Sequence, residues 1–213
     1  DFYRKHDFEV EYLGNPLFDE IVRQQRNFRS RKEFFKANGL SNKPVIALLA
    51  GSRRQEIKYN LPLMLDMAHE FPEWQFVVAG APSLQQEDYA PYMQGAAAAL
   101  VFNQTYELLH HAEAALVTSG TATLEAALLD TPQVICYRMA GGKLASLVKR
   151  MLGIGFIGLV NIILQRQAVK ELIQEDMNHE SLKNELKPLT EDTPGLQRMR
   201  EDYRALKDKL GNA

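Results

Sequence analysis

The stretch from Ala114 to Arg138 constrains the fold more than any other part of the sequence. It starts with an apolar run, continues through the small residues 119–123, becomes helical to about Leu129, and ends in a second apolar run over 133–137. Two short apolar runs separated by a helix predict two buried parallel strands joined by a crossover. Because buried parallel strands need helices on both faces of their sheet, the stretch indicates an α/β fold.

The same order of elements occurs in the first half of the chain. Val45–Leu49 is another continuous apolar run, and Gly51 and Ser52 follow it before a helical pattern begins. The alternation predicts a Rossmann-like parallel sheet with helices on both faces. After an opening strand up to about residue 15, we expect strands at 45–49, 75–79, 100–102, 114–118 and 133–137. We expect helices at 16–38, in one or two pieces, and at 61–71, 86–97, 106–111 and 122–129.

The last third of the chain predicts helices only, at 143–152, 168–174, 181–186 and 194–210. The terminal helix is highly charged and has a narrow apolar stripe, made of Leu196, Met199, Tyr203, Leu206 and Leu210. Such a helix is typical of one that lies across a surface. We therefore expect it to pack loosely here, or to dock on a second copy of the chain in a swapped homodimer. The expected divisions are 1–40 (linker strand and helix), 41–189 (Rossmann-like domain) and 190–213 (crossover helix).

The two small-residue turns are candidate ligand sites, because parallel sheets bind ligands at the carboxyl ends of their strands. Backbone amides at a helix N-terminus favour an anion such as phosphate, and residues 119–123 have little side-chain bulk. Glu125, expected in the first turn of that helix, can accept hydrogen bonds from paired sugar hydroxyls. Arg53 and Arg54 add guanidinium groups that suit phosphate. Together these features indicate a nucleotide site, although the turn taken alone is more typical of an ordinary helix N-cap.

Composition excludes several kinds of protein. A formal net charge of −2 argues against nucleic acid as a partner. The single cysteine, Cys136, excludes an internal disulfide and is expected to be a buried thiol. No pattern of His, Cys or Asp indicates a metal, so we expect no metal and no cofactor. The apolar region 151–164 is interrupted by glycines and is shorter than the roughly 20 residues of a membrane span, which leaves only contact with a bilayer surface open.

Five motifs in series resemble the lipid-A-disaccharide synthase family. They are YLGNPLFDE (12–20), LLAGSRRQEI (48–57), TSGTATLEAAL (118–128), CYRM (136–139), and the stretch from Asn161 and Arg166 into VKELIQ (169–174). The resemblance covers essentially the whole chain. It implies the C-terminal, donor-binding half of a GT-B glycosyltransferase, with the acceptor-binding N-terminal half absent. A chain that begins with Asp1 instead of Met is expected to be part of a longer protein.

The family's activity follows from the resemblance. It implies an inverting, metal-free transfer of 2,3-diacylglucosamine from its UDP donor to 2,3-diacylglucosamine 1-phosphate, with release of UDP. This is a step of lipid A biosynthesis in the cytoplasm of Gram-negative bacteria, with peripheral contact at the inner face of the inner membrane left open. The general base would lie in the absent half, so we expect this fragment alone to be inactive. Two alternatives stay open: another GT-B enzyme of UDP-N-acetylglucosamine (a muramyl-type transferase or a 2-epimerase), or a nucleotide-binding module without chemistry.

The resemblance also implies which residues surround the donor: Gly51, Ser52, Arg53, Ser119, Gly120, Thr121 and Thr123 for the diphosphate, Glu125 for the ribose, and Tyr137, Arg138, Asn161, Arg166, Glu171 and Gln174 for the remainder. Glu171 and Gln174 are expected to share a face of the helix predicted at 168–174, since they are three residues apart. The preceding loop departs from the family's usual pattern, because Gln165 and Gln167 stand where Gly and Glu are common. The loss of that glycine removes a flexible turn residue.

Overall fold

The computed structural model of the protein describes residue 9 and residues 14–118, 120–140 and 155–211. Its strands are β1 (Val45–Leu49), β2 (Gln75–Gly80), β3 (Ala98–Phe102), β4 (Ala114–Thr118), β5 (Gln133–Tyr137) and β6 (Glu171–Ile173). Its helices are α1 (Pro16–Gln25), α2 (Arg31–Ala37), α3 (Arg54–Glu70), α4 (Gln86–Met93), α5 (Thr105–His111), α6 (Thr121–Leu128), α7 (Leu159–Leu164), α8 (His179–Leu186) and α9 (Pro194–Gly211). Almost all of the expected opening strand, and the helix expected at 143–152, lie outside the described residues.

The described strands form one parallel sheet in the order β3-β2-β1-β4-β5-β6. β1 is the point where the order reverses, because it pairs with β2 on one side and with β4 on the other. Ala47, for example, lies opposite both Val77 and Ala115. The predicted parallel α/β sheet is confirmed. In such a sheet the carboxyl ends of the strands beside the reversal form the usual ligand crevice.

The central strands β1 and β4 are apolar except for Thr118 at the end of β4, because helices cover both faces of the sheet. Every residue of β1 and β4 is buried. Cys136, on the neighbouring strand β5, is also fully buried, and this burial raises the pKa of its thiol. The thiol therefore stays neutral at physiological pH and packs as a small apolar side chain, as the sequence predicts.

The segment predicted as one or two helices at 16–38 forms two. The Asn15 side chain caps α1 by accepting a hydrogen bond from the amide of Leu17 (2.9 Å). Ser30 and Glu33 form a reciprocal capping box at the start of α2. Between the helices, the guanidinium group of Arg29 donates to the carboxylate of Glu107 on α5, which fixes this linker against the sheet domain.

The prediction of a helix at 168–174 is wrong. Residues Glu171–Ile173 form the edge strand β6, which pairs with β5 through Ile135 opposite Glu171. The buried side chain of Asn161 accepts hydrogen bonds from the amides of Ala168 and Val169 and donates to the carbonyl of Val169. These hydrogen bonds attach residues 168 and 169 to α7, ahead of β6. Residues 171–173 pair with the exposed edge of β5 instead.

The terminal helix α9 packs on α1, α6 and α7 of the same chain. All five residues of its apolar stripe are buried, and Tyr203 and Leu206 have no exposed surface. The hydroxyl of Tyr203 donates to the carbonyl of Thr131 and accepts from the side-chain amide of Gln133. The expectation that this stripe packs loosely or needs a second copy to cover it is therefore wrong, because the sheet domain itself supplies the complementary surface.

Replacing a residue of this stripe tests how much the terminal helix contributes to stability. Leu206→Ala should lower the free energy of unfolding by about 2–4 kcal/mol, because it leaves a cavity between α9 and the domain. The matched control is Arg204→Ala, since Arg204 is exposed on the same helix. Urea unfolding followed by circular dichroism measures both. Equal stability of the two variants would contradict the packing of α9 on this chain.

Candidate functional site

The carboxyl ends of the central strands open into a cleft with a volume of about 650 Å³. Leu49 of β1, Thr118 of β4 and Tyr137 of β5 lie at its base, and the turns that follow β1 and precede α6 form two of its walls. The remaining lining residues are Gly51, Ser52, Arg53, Glu56, Ala79, Ala81, Pro82, Thr105, Gly120, Thr121, Ala122, Glu125 and Ile157. This is the crevice that the strand order predicts.

The wall at α6 presents an open helix N-terminus. Gly120, the N-cap residue, has φ +138°, a conformation that residues with a side chain rarely adopt. The amide and hydroxyl of Thr123 both donate to the carbonyl of Gly120, at 3.2 and 2.8 Å, and this holds the turn. The amides of Thr121 and Ala122 have no acceptor in the described part of the chain. Among the described residues these two are first-turn donors without an acceptor, a kind of group that attracts an anion.

The wall at α3 differs, because its own carboxylate occupies the turn. Oε2 of Glu56 accepts hydrogen bonds from the amides of Ser52 (2.8 Å) and Arg53 (3.3 Å). Gly51 has φ +111°, and a Cβ there would lie 2.5 Å from the Cβ of Glu56. The sequence therefore needs glycine at 51 both for the backbone and for the close approach of Glu56. Sequence reasoning missed Glu56, although its position three residues into the helix is the usual capping signal.

The two arginines of this turn point to different partners. Arg53 lines the cleft, and its guanidinium group is 82% exposed and 3.6 Å from Glu56 Oε1. Arg54 lies outside the cleft lining and forms a 2.7 Å ion pair with Asp88 of α4. Only Arg53 is therefore placed to contact an anion in the cleft.

Glu125 lies in the cleft wall beside α5. It is the fifth residue of α6, so the expectation that it lies in the first turn is wrong, because the helix starts at Thr121, one residue before the predicted start at 122. Its Oε1 accepts a hydrogen bond from the hydroxyl of Tyr106 (3.3 Å). Burial raises the pKa of the Glu125 carboxyl, and the hydrogen bond from Tyr106 acts in the opposite direction. Burial and the adjacent Glu125 carboxylate raise the pKa of Tyr106 to about 12.

Asn60 holds the end of β5 against α3. Its side chain accepts from the amide of Arg138 (2.8 Å) and donates to the carbonyls of Arg138 and Glu56. Tyr137 lines the cleft, whereas the side chain of Arg138 is exposed and lies outside the lining. Asn60 is fully buried on α3. The sequence gives no signal of its contact with Arg138, because the two residues are far apart along the chain.

Three of the predicted donor residues beyond 160, Asn161, Glu171 and Gln174, are buried or partly buried and support the cleft from outside its lining. The Glu171 carboxylate accepts hydrogen bonds from the amides of Ile157 and Gly158 and from the side chain of Asn161. Ile157 is a lining residue, so this network holds one wall of the cleft in place. Gln174, which is 3% exposed, accepts a hydrogen bond from the amide of Met139.

Arg166 lies apart from these three residues. Its guanidinium group forms an ion pair with Asp202 on α9, and it is not among the residues that line the cleft. Arg166 therefore links the loop after α7 to the terminal helix α9. Gln165, which ends α7, has φ +56°, so this chain adopts a left-handed turn without the usual glycine.

Comparison with known proteins identifies the family. Residues 1–212 match the family described as Lipid-A-disaccharide synthetase. The chain belongs to this family.

Curated relatives named lipid-A-disaccharide synthase agree with this assignment. The protein of Nitrosococcus oceani is 34% identical over 217 residues, and that of Pseudomonas putida is 33% identical over 218 residues. These alignments cover 99% of this chain but 55% and 57% of the two relatives. The chain thus spans about half the length of the curated relatives it matches.

Solved structures show the same fold at low sequence identity. An Anabaena protein, HepE, in complex with UDP-glucose has a TM-score of 0.59 at 13% identity, covering 95% of this chain and 53% of that one. The UDP-GlcNAc 2-epimerase of Methanocaldococcus jannaschii, in complex with UDP-GlcNAc and UDP, has a TM-score of 0.56 at 12% identity, covering 96% and 57%. The α/β sheet of this lipid-A-disaccharide synthetase family member is thus the GT-B type of domain.

Half of the residues predicted to surround the donor lie in the cleft of this family member: Gly51, Ser52, Arg53, Gly120, Thr121, Glu125 and Tyr137. Six others do not line it: Thr123, Arg138, Asn161, Arg166, Glu171 and Gln174. Ser119 lies outside the described residues. Among the described residues, no cluster of three or more His, Cys, Asp or Glu is arranged to hold a metal ion.

Proposed function

We propose that this chain binds the UDP part of a UDP-linked 2,3-diacylglucosamine, within a protein that transfers the acylated sugar to 2,3-diacylglucosamine 1-phosphate. The observation that carries the proposal is the cleft at the carboxyl edge of the sheet. Among the described residues it combines a helix N-terminus whose first amides lack an acceptor, an exposed guanidinium group and a partly buried carboxylate. These are the groups that a diphosphate and a ribose require.

The diphosphate is assigned to the N-terminus of α6. The amides of Thr121 and Ala122 are available there, whereas Glu56 already occupies those of Ser52 and Arg53 in the other turn. Arg53 then approaches the same phosphates with its side chain instead of its amide. Two N–H donors, the positive end of a helix dipole and a guanidinium group together offset much of the charge of a diphosphate.

The ribose is assigned to Glu125. Its carboxylate lies in the same wall as the helix N-terminus, farther along α6, so a nucleotide with its diphosphate at Thr121 brings its sugar toward it. A carboxylate has about four lone-pair positions and can accept hydrogen bonds from the 2′- and 3′-hydroxyls while it keeps the one from Tyr106. This arrangement recognises a nucleotide through its ribose and leaves the linked sugar to other residues.

The proposed reaction is an inverting displacement at the anomeric carbon of the donor sugar. A hydroxyl of the acceptor attacks, its proton passes to a general base, and the bond to UDP breaks. The helix N-terminus and Arg53 stabilise the negative charge that develops on the leaving diphosphate. Because no unassigned base faces the cleft among the described residues, we assign the base and the acceptor site to parts of the longer family protein outside this chain.

The comparisons support a UDP-linked donor. The curated relatives carry the name of the disaccharide synthase, and two structures with the same fold are described in complex with UDP-glucose and with UDP-GlcNAc and UDP. The acyl chains of the donor and acceptor follow from the family name. The product would be the lipid A disaccharide 1-phosphate of Gram-negative bacteria.

Lipid substrates require access from a membrane, so we propose a cytoplasmic protein with peripheral contact at the inner face of the inner membrane. Met139 and Ile162 are large apolar side chains that are 44% and 46% exposed. No helix in the described ranges has both the length and the apolar character to cross a bilayer. A swapped homodimer of this chain stays a proposal, although α9 does not require it, since its apolar stripe is already covered.

Replacing Glu125 tests the ribose assignment. Glu125→Ala should weaken UDP binding by about 1.5–3 kcal/mol, since a charged acceptor is lost. Calorimetric titration should show a similar loss for uridine and little change for inorganic pyrophosphate. Glu191→Ala, which removes an exposed carboxylate elsewhere, is the control. If wild type and Glu125→Ala bind UDP equally, the ribose is not held by Glu125.

The paired arginines provide a matched test of the diphosphate assignment. Arg53→Lys should weaken UDP about tenfold while leaving uridine nearly unchanged, because an ammonium group cannot reproduce two parallel hydrogen bonds to phosphate. Arg54→Lys should keep wild-type affinity, since Arg54 faces Asp88. The same calorimetric titrations measure both variants. Equal losses for UDP and uridine would show that Arg53 acts on folding or on the nucleoside.

Turnover tests the reaction itself. The full-length protein that contains this chain should convert UDP-diacylglucosamine and diacylglucosamine 1-phosphate into the disaccharide 1-phosphate and UDP, measured by mass spectrometry. UDP-N-acetylglucosamine without acyl chains should not be consumed, and this chain alone should give no product. Disaccharide formed by this chain alone would contradict the assignment of the base, and epimerisation of UDP-N-acetylglucosamine would favour an epimerase instead.

A further inference from the structure

Glu125 has a single side-chain partner in the described part of the chain, the hydroxyl of Tyr106. The other carboxylate that lines the cleft, Glu56, is held by two backbone amides. Glu125 therefore depends on one tyrosine for its orientation. Tyr106 lies on α5 next to Thr105, a lining residue, and is not itself among the residues that line the cleft.

The packing around Tyr106 and Glu125 shields their hydrogen bond from water. α5 packs against α6, and both Tyr106 and Glu125 are partly buried, so bulk water competes poorly for the carboxylate. A carboxylate without a fixed donor can rotate about its terminal torsion, which is broad. A donor on Oε1 restricts that rotation and turns the remaining lone pairs toward the cleft.

We propose that Tyr106 is a positioning residue for the nucleotide: its hydroxyl orients Glu125 so that the carboxylate accepts the two ribose hydroxyls. The inference rests on the proposed function, because it concerns the same site. Tyr106 itself contacts no substrate. It restricts the rotation of the Glu125 side chain before the nucleotide binds, so less conformational entropy is lost on binding.

The charges around the pair predict how pH affects it. Of the elements packed against α6, α5 supplies Tyr106, and α1 supplies Glu20, whose charge acts on Tyr106. No cation among the described residues contributes to the pKa of Glu125. Because the Tyr106 hydroxyl lowers the pKa of a carboxyl that burial raises, its removal should raise that pKa further. Only the ionised carboxylate can accept hydrogen bonds from both ribose hydroxyls. As the solution is acidified, the variant should therefore lose binding at a higher pH than wild type.

The decisive variant is Tyr106→Phe, tested with two probes. Uridine reports on the ribose and does not ionise over the acidic range, whereas inorganic pyrophosphate reports on the diphosphate site. NMR titration at neutral pH should show uridine binding weakened about fivefold to tenfold, with pyrophosphate unchanged. The acidic limit of uridine binding should move to higher pH. Tyr92→Phe on α4, which removes a hydroxyl outside the cleft, should match wild type in every measurement.

A second measurement uses wild type alone and stays informative if Tyr106→Phe is destabilised. With ¹³C-labelled side chains, the ring carbon that bears the Tyr106 hydroxyl should shift at the same pH at which the Glu125 carboxyl titrates. A Tyr106 signal that does not follow Glu125, or equal uridine binding by Tyr106→Phe and wild type, would overturn the positioning role. Equal losses for uridine and pyrophosphate would show a general structural effect and would overturn it too. If wild type binds neither UDP nor uridine, the proposed function fails, and the coupled ¹³C titration still decides whether the pair exists.

Discussion

The pairing of β1 with β4 is the constraint on which the rest of the structure depends. Both strands are completely buried, so their backbone groups must be paired and both faces must be covered. The pairing also places the ends of β1 and β4 next to each other, with the turn after β1 opposite the start of α6. One hydrogen-bonded ladder thus creates both the centre of the core and the cleft.

Both turns at this edge carry a glycine beside a small hydroxyl residue, but their backbone amides differ in the hydrogen bonds that they make. The turn after β1 is closed by its own carboxylate, because Glu56 takes the amides of Ser52 and Arg53. At the turn before α6, the described residues provide no acceptor for the amides of Thr121 and Ala122. This difference is the reason for proposing the anion at α6, with α3 contributing a guanidinium group. It also shows that small residues beside a helix N-terminus are insufficient to identify a phosphate site.

A second layer of polar residues supports the cleft without lining it. Asn60 fixes the end of β5, and Asn161 with Glu171 fixes the segment at Ile157. These side chains are buried or partly buried and hydrogen-bonded, so replacing any of them leaves an unsatisfied polar group in the interior. Residues that resemble a family's donor-binding positions can therefore act on the site through the backbone that they hold. Tyr106, which orients Glu125, belongs to the same supporting layer.

The sequence by itself determined the α/β class, the positions of the central strands, the two turns and the family. Those features are local: a continuous apolar run, a glycine beside a helix start and a short motif are read within about ten residues. Only the tertiary structure decided that 171–173 forms an edge strand, that α9 is covered by its own chain, and that Arg166 pairs with Asp202 away from the cleft. Each of these depends on a partner far along the chain. Local periodicity carries no information about which distant side chain will satisfy a polar group or cover an apolar face.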